Sequence, residues 1–447
     1  MFYGWRIVGV ASLTHFIAVG LVFYSYGVFF TALEGDFGGS RLGVATGLAI
    51  MNVSIGLFAP FLGQALDRGS IRNIMCLGAI LTAIGFFAAS QIDALWQFYA
   101  VMGTFLAVGV MSVGGIAGTT LVANWFSERR GTALGISGIG ISLSGVAMAP
   151  LATLLIGAIG WRSTFLVYAA VPLVVVLPLV WLVVVNRPEE MGLEPDGAQT
   201  PRAAAPSPAV ESAVLHTPEH GDLSVRLDSG WSIWSALRDR NLWVIAVAIA
   251  LNSCTNGAML THIIPHATDI GFEPLAAAWV LSCIAGFGVV GKVLFGWAVD
   301  RIDKRVALWC ATGLQGLGVA LILNAEQYPL LLLSGSVYGL GMGGMVPLSG
   351  ALIGAAFGRD RFGRAIGAMN PVMLPIRVLG IPFAGWIYDR TGSYDIAFLT
   401  FIGLCSLSIL VLAFLRLPAI EPGTETIHMS RESDSIRTQR DALSGAR

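Results

Sequence analysis

Residues 277–305 read A-A-W-V-L-S-C-I-A-G-F-G-V-V-G-K-V-L-F-G-W-A-V-D-R-I-D-K-R. This run is apolar and long enough to cross a hydrocarbon core of about 30 Å; it holds one ammonium group, Lys292, and ends in a block of charge. A charge at bilayer depth costs at least about 2.5 kcal/mol and is kept mainly where it faces a cavity or a partner. We therefore expect Lys292 to serve a binding site, and we expect an anion to be bound there.

The composition excludes an ordinary soluble protein. Of the 447 residues, 55% are hydrophobic and 12% are charged, whereas soluble domains carry about 25% charged residues. The five cysteines lie in apolar runs without C-x-x-C or Cys/His ligand spacing, which predicts neither a disulfide framework nor a metal site, and we expect no cofactor. The start of the chain, Met1 to Arg6, lacks a basic n-region, so the first apolar run is expected to be retained.

Twelve apolar runs have the length of a membrane span. They centre near Gly20, Leu57, Ala83, Val108, Gly145, Val175, Leu251, Gly288, Leu317, Gly341, Arg377 and Leu407. One side of the membrane would then hold Arg6, Arg68, Arg72, Arg129, Arg130 and the clusters at 301–305 and 359–364, and the other side only Arg41, Arg162 and Arg390. The positive-inside rule predicts a multi-pass protein of the cell (inner) membrane with both termini in the cytoplasm.

The composition changes abruptly between the sixth and seventh runs. Residues 187–238 are rich in Pro, Ala, Glu and Ser, which predicts a cytoplasmic linker, and its end from Trp231 to Arg238 has the pattern of an amphipathic helix at the membrane surface. We expect an N-terminal six-helix bundle over 1–186 and a C-terminal one over 239–416. The polar segment 417–447 is expected to be a disordered cytoplasmic tail.

The two halves repeat each other. Gly63-x-x-x-Asp67-Arg68 after the second run matches Gly296-x-x-x-Asp300-Arg301 after the eighth at an offset of 233 residues, and Arg72 matches Arg305 at the same offset. Gly160 before the sixth run matches Gly392 before the twelfth at an offset of 232. Agreement between separate anchors predicts a duplicated six-span unit.

The repeated G-x-x-x-D-R block in a duplicated twelve-span chain resembles the major facilitator superfamily. Shorter stretches resemble its bacterial monocarboxylate-porter and oxalate/formate-antiporter-like branch, among them Tyr3-Gly4-Trp5-Arg6, Arg187-Pro188-Glu189-Glu190-Met191-Gly192 and His262-Ile263-Ile264-Pro265-His266. The resemblance implies an all-α membrane protein with twelve transmembrane helices in two pseudo-symmetric six-helix bundles. It also implies a transporter that works by alternating access, not an enzyme.

The repeated block also predicts a gate. A carboxylate beside an arginine at a helix end can accept hydrogen bonds from a neighbouring helix and hold the halves in one state. The gating residues expected on this basis are Gly63, Asp67, Arg68, Arg72, Gly296, Asp300, Arg301 and Arg305. The alternative is a solvated turn that only carries positive-inside charge.

The candidate substrate-binding residues are Lys292, Arg377, His262, His15 and Tyr338. No carboxylate falls near the middle of a run, so the two cations Lys292 and Arg377 have no evident fixed counter-ion. The resemblance to monocarboxylate transporters implies that Lys292 takes the place of a substrate-binding arginine of the eighth span. Gly288 then stands where the family has an acidic or polar residue four positions earlier. His262 takes the place of a histidine near the binding site of the branch. The alternatives are that Lys292 snorkels to the surface, that Arg377 bonds carbonyls freed by Pro375 and Pro382, and that the histidines and Tyr338 are packing residues.

The function predicted from the sequence is secondary transport of a small organic monocarboxylate or similar anion, with proton symport implied by the resemblance. The expected partners are the anion, protons and the lipid bilayer, without nucleic acid, and the expected functional unit is a monomer. A drug or metabolite exporter and an anion exchanger remain alternatives. A membrane enzyme is disfavoured because G-x-S-x-G with a base, metal-ligand spacing and G-x-x-x-x-G-K are all missing from the sequence.

Overall fold

The computed structural model of this chain describes residues 2–127, 129–197, 238–299, 301–358 and 362–415. Within them, eleven helices are long and apolar enough to cross a membrane. In chain order these are α1 Gly4–Asp36, α2 Arg41–Arg68, α3 Ile71–Ser90, α4 Leu95–Trp125, a long helix Arg130–Val183, α7 Arg240–Asp269, α8 Pro274–Ala298, α9 Lys304–Leu323, α10 Tyr328–Phe357, α11 Phe362–Thr391 and α12 Asp395–Ala413. The predicted amphipathic helix after Trp231 and the tail 417–447 lie outside the described residues.

The long helix contains two membrane crossings. Arg130–Val183 has 54 residues, which at 1.5 Å per residue would reach about 80 Å, more than twice the thickness of a hydrocarbon core. It is broken at Gly160, where φ is 77° and ψ is 163°, a conformation that is essentially restricted to glycine. We call residues 130–159 α5 and residues 161–183 α6, and the twelve predicted spans are then all present.

The duplication is visible in the turns. The turn after α1 contains Gly38 at φ 88° and the turn after α7 contains Gly271 at φ 98°, 233 residues later. Gly160 and Gly392, 232 residues apart, have φ values of 77° and 71°. These matching left-handed positions confirm that the chain consists of two six-helix bundles of the same design.

The two ends of the bundle are defined by contacts between helix termini. At one end the Tyr3 hydroxyl donates to the carbonyl of Val183 at 2.8 Å, and Trp125 Nε1 donates to the carbonyl of Val185 at 2.9 Å. We call this the linker end, because α6 ends here before the predicted linker and α7 begins here after it, and we call the opposite one the far end.

The two halves meet along three helix pairs, α1 with α7, α2 with α11 and α5 with α8. Small residues allow the closest approach, as expected where lipid gives no hydrophobic drive for helix association. At Gly145 of α5, a Cβ atom would lie 2.4 Å from the Cβ of Ala285 on α8 and 2.6 Å from the ring of Tyr24 on α1. The seam between α5 and α8 therefore depends on glycine at this position.

Candidate functional site

A cavity of about 550 Å³ lies between the halves. On α10 its wall runs from Met342, near the middle of the helix, to Ile353, and on α11 from Ile366 to Met373, so it extends from mid-membrane toward the linker end. Its polar wall residues are Tyr24, Ser142, Ser253, Asn256, Lys292, Ser349 and Asn370, and its four methionines are Met342, Met345, Met369 and Met373.

Lys292 lines this cavity from α8. Its ammonium donates a hydrogen bond to the hydroxyl of Ser142 on α5, across the seam between the halves. The salt bridges among the described residues involve Arg41 and Arg162 at the far end, so no described carboxylate is paired with Lys292. The ammonium therefore borders the cavity with a neutral hydroxyl as its partner, and its role in substrate binding stays a prediction.

The seam around Lys292 has further contacts between the halves. Ser282, on the same helix but nearer the far end, donates to the carbonyl of Val146 at 2.8 Å. Gly145 lies between Ser142 and Val146 and contacts Ala285. α5 and α8 are thus held together from Ser282 down to Lys292, and the cavity opens beside the ammonium.

Tyr338 lies behind the cavity wall. It is fully buried, its Cβ and backbone lie close to Gly318 of α9, and its hydroxyl donates to Oδ1 of Asn256. Asn256 itself lines the cavity. Tyr338 does not, but it holds the side chain of Asn256 in place from behind the cavity wall. The bond leaves the amide NH₂ of Asn256 as the donor for a ligand.

Arg377 lies one turn beyond Met373, a cavity residue of α11, in the direction of the far end. Its Nε is buried without a hydrogen-bond partner among the described residues. Leu374, beside it, packs against Gly56 of α2. Arg377 is thus placed next to the cavity, between it and the far-end closure, rather than in the cavity wall.

His15 and His262 lie away from the cavity. His15 is packed inside the N-terminal half, where a Cβ at Gly118 of α4 would be 3.1 Å from its ring. His262 of α7 is fully buried; its Nδ1 lies 3.0 Å from the Tyr394 hydroxyl and its Nε2 lies 2.9 Å from the carbonyl oxygen of Ile381. The structure therefore brings neither histidine to Lys292.

A buried arginine closes the cavity at the far end. Arg41, the first residue of α2, is 5% exposed and binds Asp269 of α7 through Nη1 at 2.6 Å and Nη2 at 2.8 Å. Its Nε donates to Glu34 of α1 at 3.0 Å, and its guanidinium carbon lies 3.5 Å from the ring centre of Tyr388. We call Arg41, Glu34, Asp269, Tyr388, Asp389 and Tyr394 the far-end latch.

Asp389 adds a helix cap that crosses the seam. Its carboxylate accepts from the backbone nitrogens of Arg41 and Leu42 at 2.8 and 3.0 Å, and from the Ser40 hydroxyl at 2.9 Å. A carboxylate at a helix N-terminus satisfies free N–H groups and complements the helix dipole. The start of α2 in one half is thus capped by α11 of the other half.

The predicted gating block lies at the linker end. Asp67 and Arg68 are exposed, and a side chain at Gly63 or Gly296 would meet open space. The guanidinium of Arg72 lies 5.0 Å from the ring centre of Trp181, and that of Arg301 lies 4.3 Å from that of Trp297. The Arg305 backbone is bound by Asp303, and Asp300 lies outside the described residues. The role of this block in gating stays a prediction.

Several cavity residues were not proposed as substrate-binding residues from the sequence. Ser142, Asn256 and Asn370 are polar residues inside membrane-length apolar runs, a signal that could have singled them out. Tyr24 ends the turn Gly20–Tyr24, where α1 widens to a π-helix, a feature that often marks functional sites. The sequence gives no comparable signal for this change of helix type.

The family of the chain follows from comparison with known proteins. The model of the Major Facilitator Superfamily matches it in two overlapping segments, residues 13–311 and 245–443. The chain belongs to this superfamily. The predicted fold is confirmed, and the chain is a membrane transporter rather than an enzyme.

Individual proteins within the superfamily can also be compared with this chain. The chain is 27% identical to Monocarboxylate transporter 13 of Rattus norvegicus over 89% of this chain and 85% of the relative. It is 24% identical to Monocarboxylate transporter 12 of the same species, over 97% of this chain and 89% of that relative. Among solved structures, a mutant of the nucleoside transporter NupG has a TM-score of 0.70 at 12% identity, covering 93% of this chain and 100% of that one. The predicted resemblance to monocarboxylate transporters is confirmed.

The close seam at Gly145 leads to a stability prediction. Gly145→Ala places a methyl group against Ala285 and Tyr24, and overpacking of this kind costs about 1–3 kcal/mol. We expect the midpoint of thermal unfolding of the purified protein to fall by several degrees. Gly138→Ala, on the same helix with nothing within 4 Å of its Cβ position, is the matched control and should leave the midpoint unchanged or slightly raised. Equal midpoints for the two variants would contradict the proposed tight seam.

Proposed function

We propose that this transporter carries a small organic monocarboxylate, with Lys292 as the residue that binds the carboxylate. The supporting observation is an ammonium that lines a mid-membrane cavity and has a hydroxyl, Ser142, but no described carboxylate as its partner. A buried cation without a fixed counter-ion is costly. An incoming carboxylate offsets that cost by forming a charge-assisted hydrogen bond.

The rest of the cavity suits the other end of such a molecule. Apart from its few polar groups the wall is apolar, and its four methionines, Met342, Met345, Met369 and Met373, come from α10 and α11. Methionine side chains adapt to ligands of different shape. A volume of about 550 Å³ is that of a typical small-molecule site, so the hydrocarbon part can range from a short aliphatic chain to an aromatic ring.

Two further side chains are proposed to take part. Asn256, held by Tyr338, presents its amide NH₂ to a second oxygen of the substrate. Arg377 lies on the far-end side of the cavity. Its charge makes the electrostatic potential inside the cavity more positive. The relatives named monocarboxylate transporters support the substrate class, whereas identities of 24–27% leave the particular acid to experiment.

Replacement of the ammonium tests the proposal directly. Lys292→Gln removes the charge, and a hydrogen bond to a charged partner contributes about 1.5–3 kcal/mol, or about ten- to a hundredfold in affinity. We expect the KM for labelled monocarboxylate uptake into proteoliposomes to rise by at least about tenfold, and Lys292→Arg to retain part of the uptake. A thermal-shift screen of aliphatic, keto, hydroxy and aromatic acids first selects the substrate.

The control is the chain's other lysine. Lys304→Gln removes the same charge at the linker end, at the start of α9, and should leave KM unchanged. Uptake by Lys292→Gln with the KM of the unaltered protein would remove Lys292 from substrate binding. Uptake lost equally in both lysine variants would point to a general effect of charge.

We propose that transport is coupled to protons, as the resemblance to monocarboxylate transporters implies. A carboxylate and a proton that move together carry no net charge across the bilayer, which reduces the cost of the translocation step. Uptake should therefore accelerate when the outside of proteoliposomes is acidified, and a protonophore should abolish the acceleration. If neither affects uptake while internal anion stimulates it, the protein is an anion exchanger instead.

We propose that the linker end faces the cytoplasm of a cell-membrane protein. The described cations of the connections at this end, including Arg129, Arg130, Arg301 and Lys304, outnumber Arg41, Arg162 and Arg390 at the far end, as the positive-inside rule requires. In a variant without native cysteines, a cysteine at Glu326 should react with a membrane-impermeant maleimide in intact cells. One at Ile302 should react only after lysis, and the reverse pattern would invert the topology.

A further inference from the structure

The far-end latch is joined to a buried histidine by a chain of hydrogen bonds. Arg41 Nη1 donates to the Tyr394 hydroxyl at 2.9 Å. That hydroxyl lies 3.0 Å from Nδ1 of His262, and Nε2 of His262 lies 2.9 Å from the carbonyl oxygen of Ile381. The chain crosses the seam, because Arg41 belongs to the N-terminal half and the other three residues to the C-terminal half.

The direction of each bond is fixed by chemistry. A carbonyl oxygen only accepts, so the hydrogen of the His262 ring lies on Nε2 and Nδ1 is an acceptor. Tyr394 must then donate to Nδ1 while it accepts from Arg41. Burial raises the pKa of Tyr394 well above its ordinary value, so its hydroxyl keeps the proton that this bond needs. The closed latch therefore requires His262 to be neutral.

A second proton on His262 would disrupt this arrangement. Nδ1 would become a donor, and the hydroxyl of Tyr394, a residue that is 1% exposed, would lose the acceptor for its own hydrogen. A buried donor left without an acceptor is destabilising. The imidazolium would also lie near the guanidinium of Arg41, because both groups bind the same Tyr394 hydroxyl, and two buried cations repel each other.

The surroundings of His262 contain charges of both signs. Arg41 from α2 and Asp389 from α11 are the charged groups that act on it, and the Tyr394 hydroxyl before α12 binds it. Glu34 of α1, Tyr388 of α11 and Asp269 of α7 surround Arg41, and His266 of α7 contacts Tyr394. The two carboxylates nearest to Arg41 are bound to its guanidinium, and Asp389 is bound to the start of α2. In the closed latch these carboxylates are therefore already engaged by donors other than His262.

The duplication explains why the latch crosses the seam. In the N-terminal half, Asp36 at the end of α1 pairs with Arg162 at 2.8 Å. The equivalent positions of the C-terminal half are Asp269, 233 residues later, and Tyr394, 232 residues later. Since tyrosine stands where the first half has its arginine, Asp269 takes its cation from the other half, and the same tyrosine connects that cation to His262.

We propose that His262 is a proton sensor of the far-end latch: the latch closes over neutral His262, and protonation of this residue favours the state open at the far end. When the far end opens, Arg41 separates from Tyr394, and Tyr394 is then free to accept a hydrogen bond from the imidazolium. One proton changes the ratio of open to closed molecules by at most about tenfold per pH unit. The inference concerns the gate and does not depend on which anion is carried.

The test measures opening without substrate. Spin labels are placed on cysteines at Gln91 and Glu326, exposed far-end positions of the two halves, in the full chain with its native cysteines replaced. Distances are measured by double electron–electron resonance in lipid nanodiscs between pH 8 and pH 5. We expect the open-to-closed ratio to rise at least about threefold on acidification, and His262→Gln to make it independent of pH.

The matched control is His266→Gln. This histidine lies one turn away, with its ring edge-on to those of Tyr394 and Phe398, and it should leave the pH response intact. His262→Asn, a second neutral replacement, keeps the test decisive if the glutamine variant does not fold. A pH response that persists in a folded, neutral His262 variant, or that is lost only in His266→Gln, would overturn the proposal. Unchanged anion binding at Lys292 in the same samples would show that the proposed substrate site stands independently.

Discussion

A cation can be accommodated inside a membrane protein in two ways, and this chain uses both. Arg41 is surrounded by fixed partners, the carboxylates of Asp269 and Glu34 and the rings of Tyr388 and Tyr394. Lys292 has one neutral partner, Ser142, and faces a cavity. The first arrangement holds the far end closed, and the second leaves an unsatisfied charge inside the space that this closure seals.

Much of the fold could be predicted from the sequence because its determinants are local or periodic. The apolar runs require helices, since a bilayer offers no other partner for backbone N–H and C=O groups. The offsets of 232 and 233 residues predicted the duplication, and the turns at Gly38, Gly160, Gly271 and Gly392 show it again in their positive φ values. Lys292 was recognisable because a single ammonium inside such a run is rare and costly.

The rest of the site could not be predicted because it depends on contacts between the halves. Arg41 counted only as one of three far-side cations, although its partners Asp269 and Tyr394 follow 228 and 353 residues later. His262 has the same sequence signal whether it lines a cavity or binds a tyrosine. Ser142 and Tyr338 acquire their roles from neighbours on other helices, and their own stretches of sequence do not encode those neighbours.

The energetics of the latch suit a protein that must open again. Burial of an ion pair removes two charges from water, and this cost offsets most of their attraction. When the far end opens, Arg41, Asp269 and Glu34 regain water. The free energies of the closed and open states therefore differ by less than the short ion-pair distances of Arg41 suggest. A purely apolar closure of the same area would have no such compensation and would favour one state. The pairing of Arg41 with Asp269 thus seals the cavity while the free-energy difference between the two states remains small enough for a substrate or a proton to change its sign.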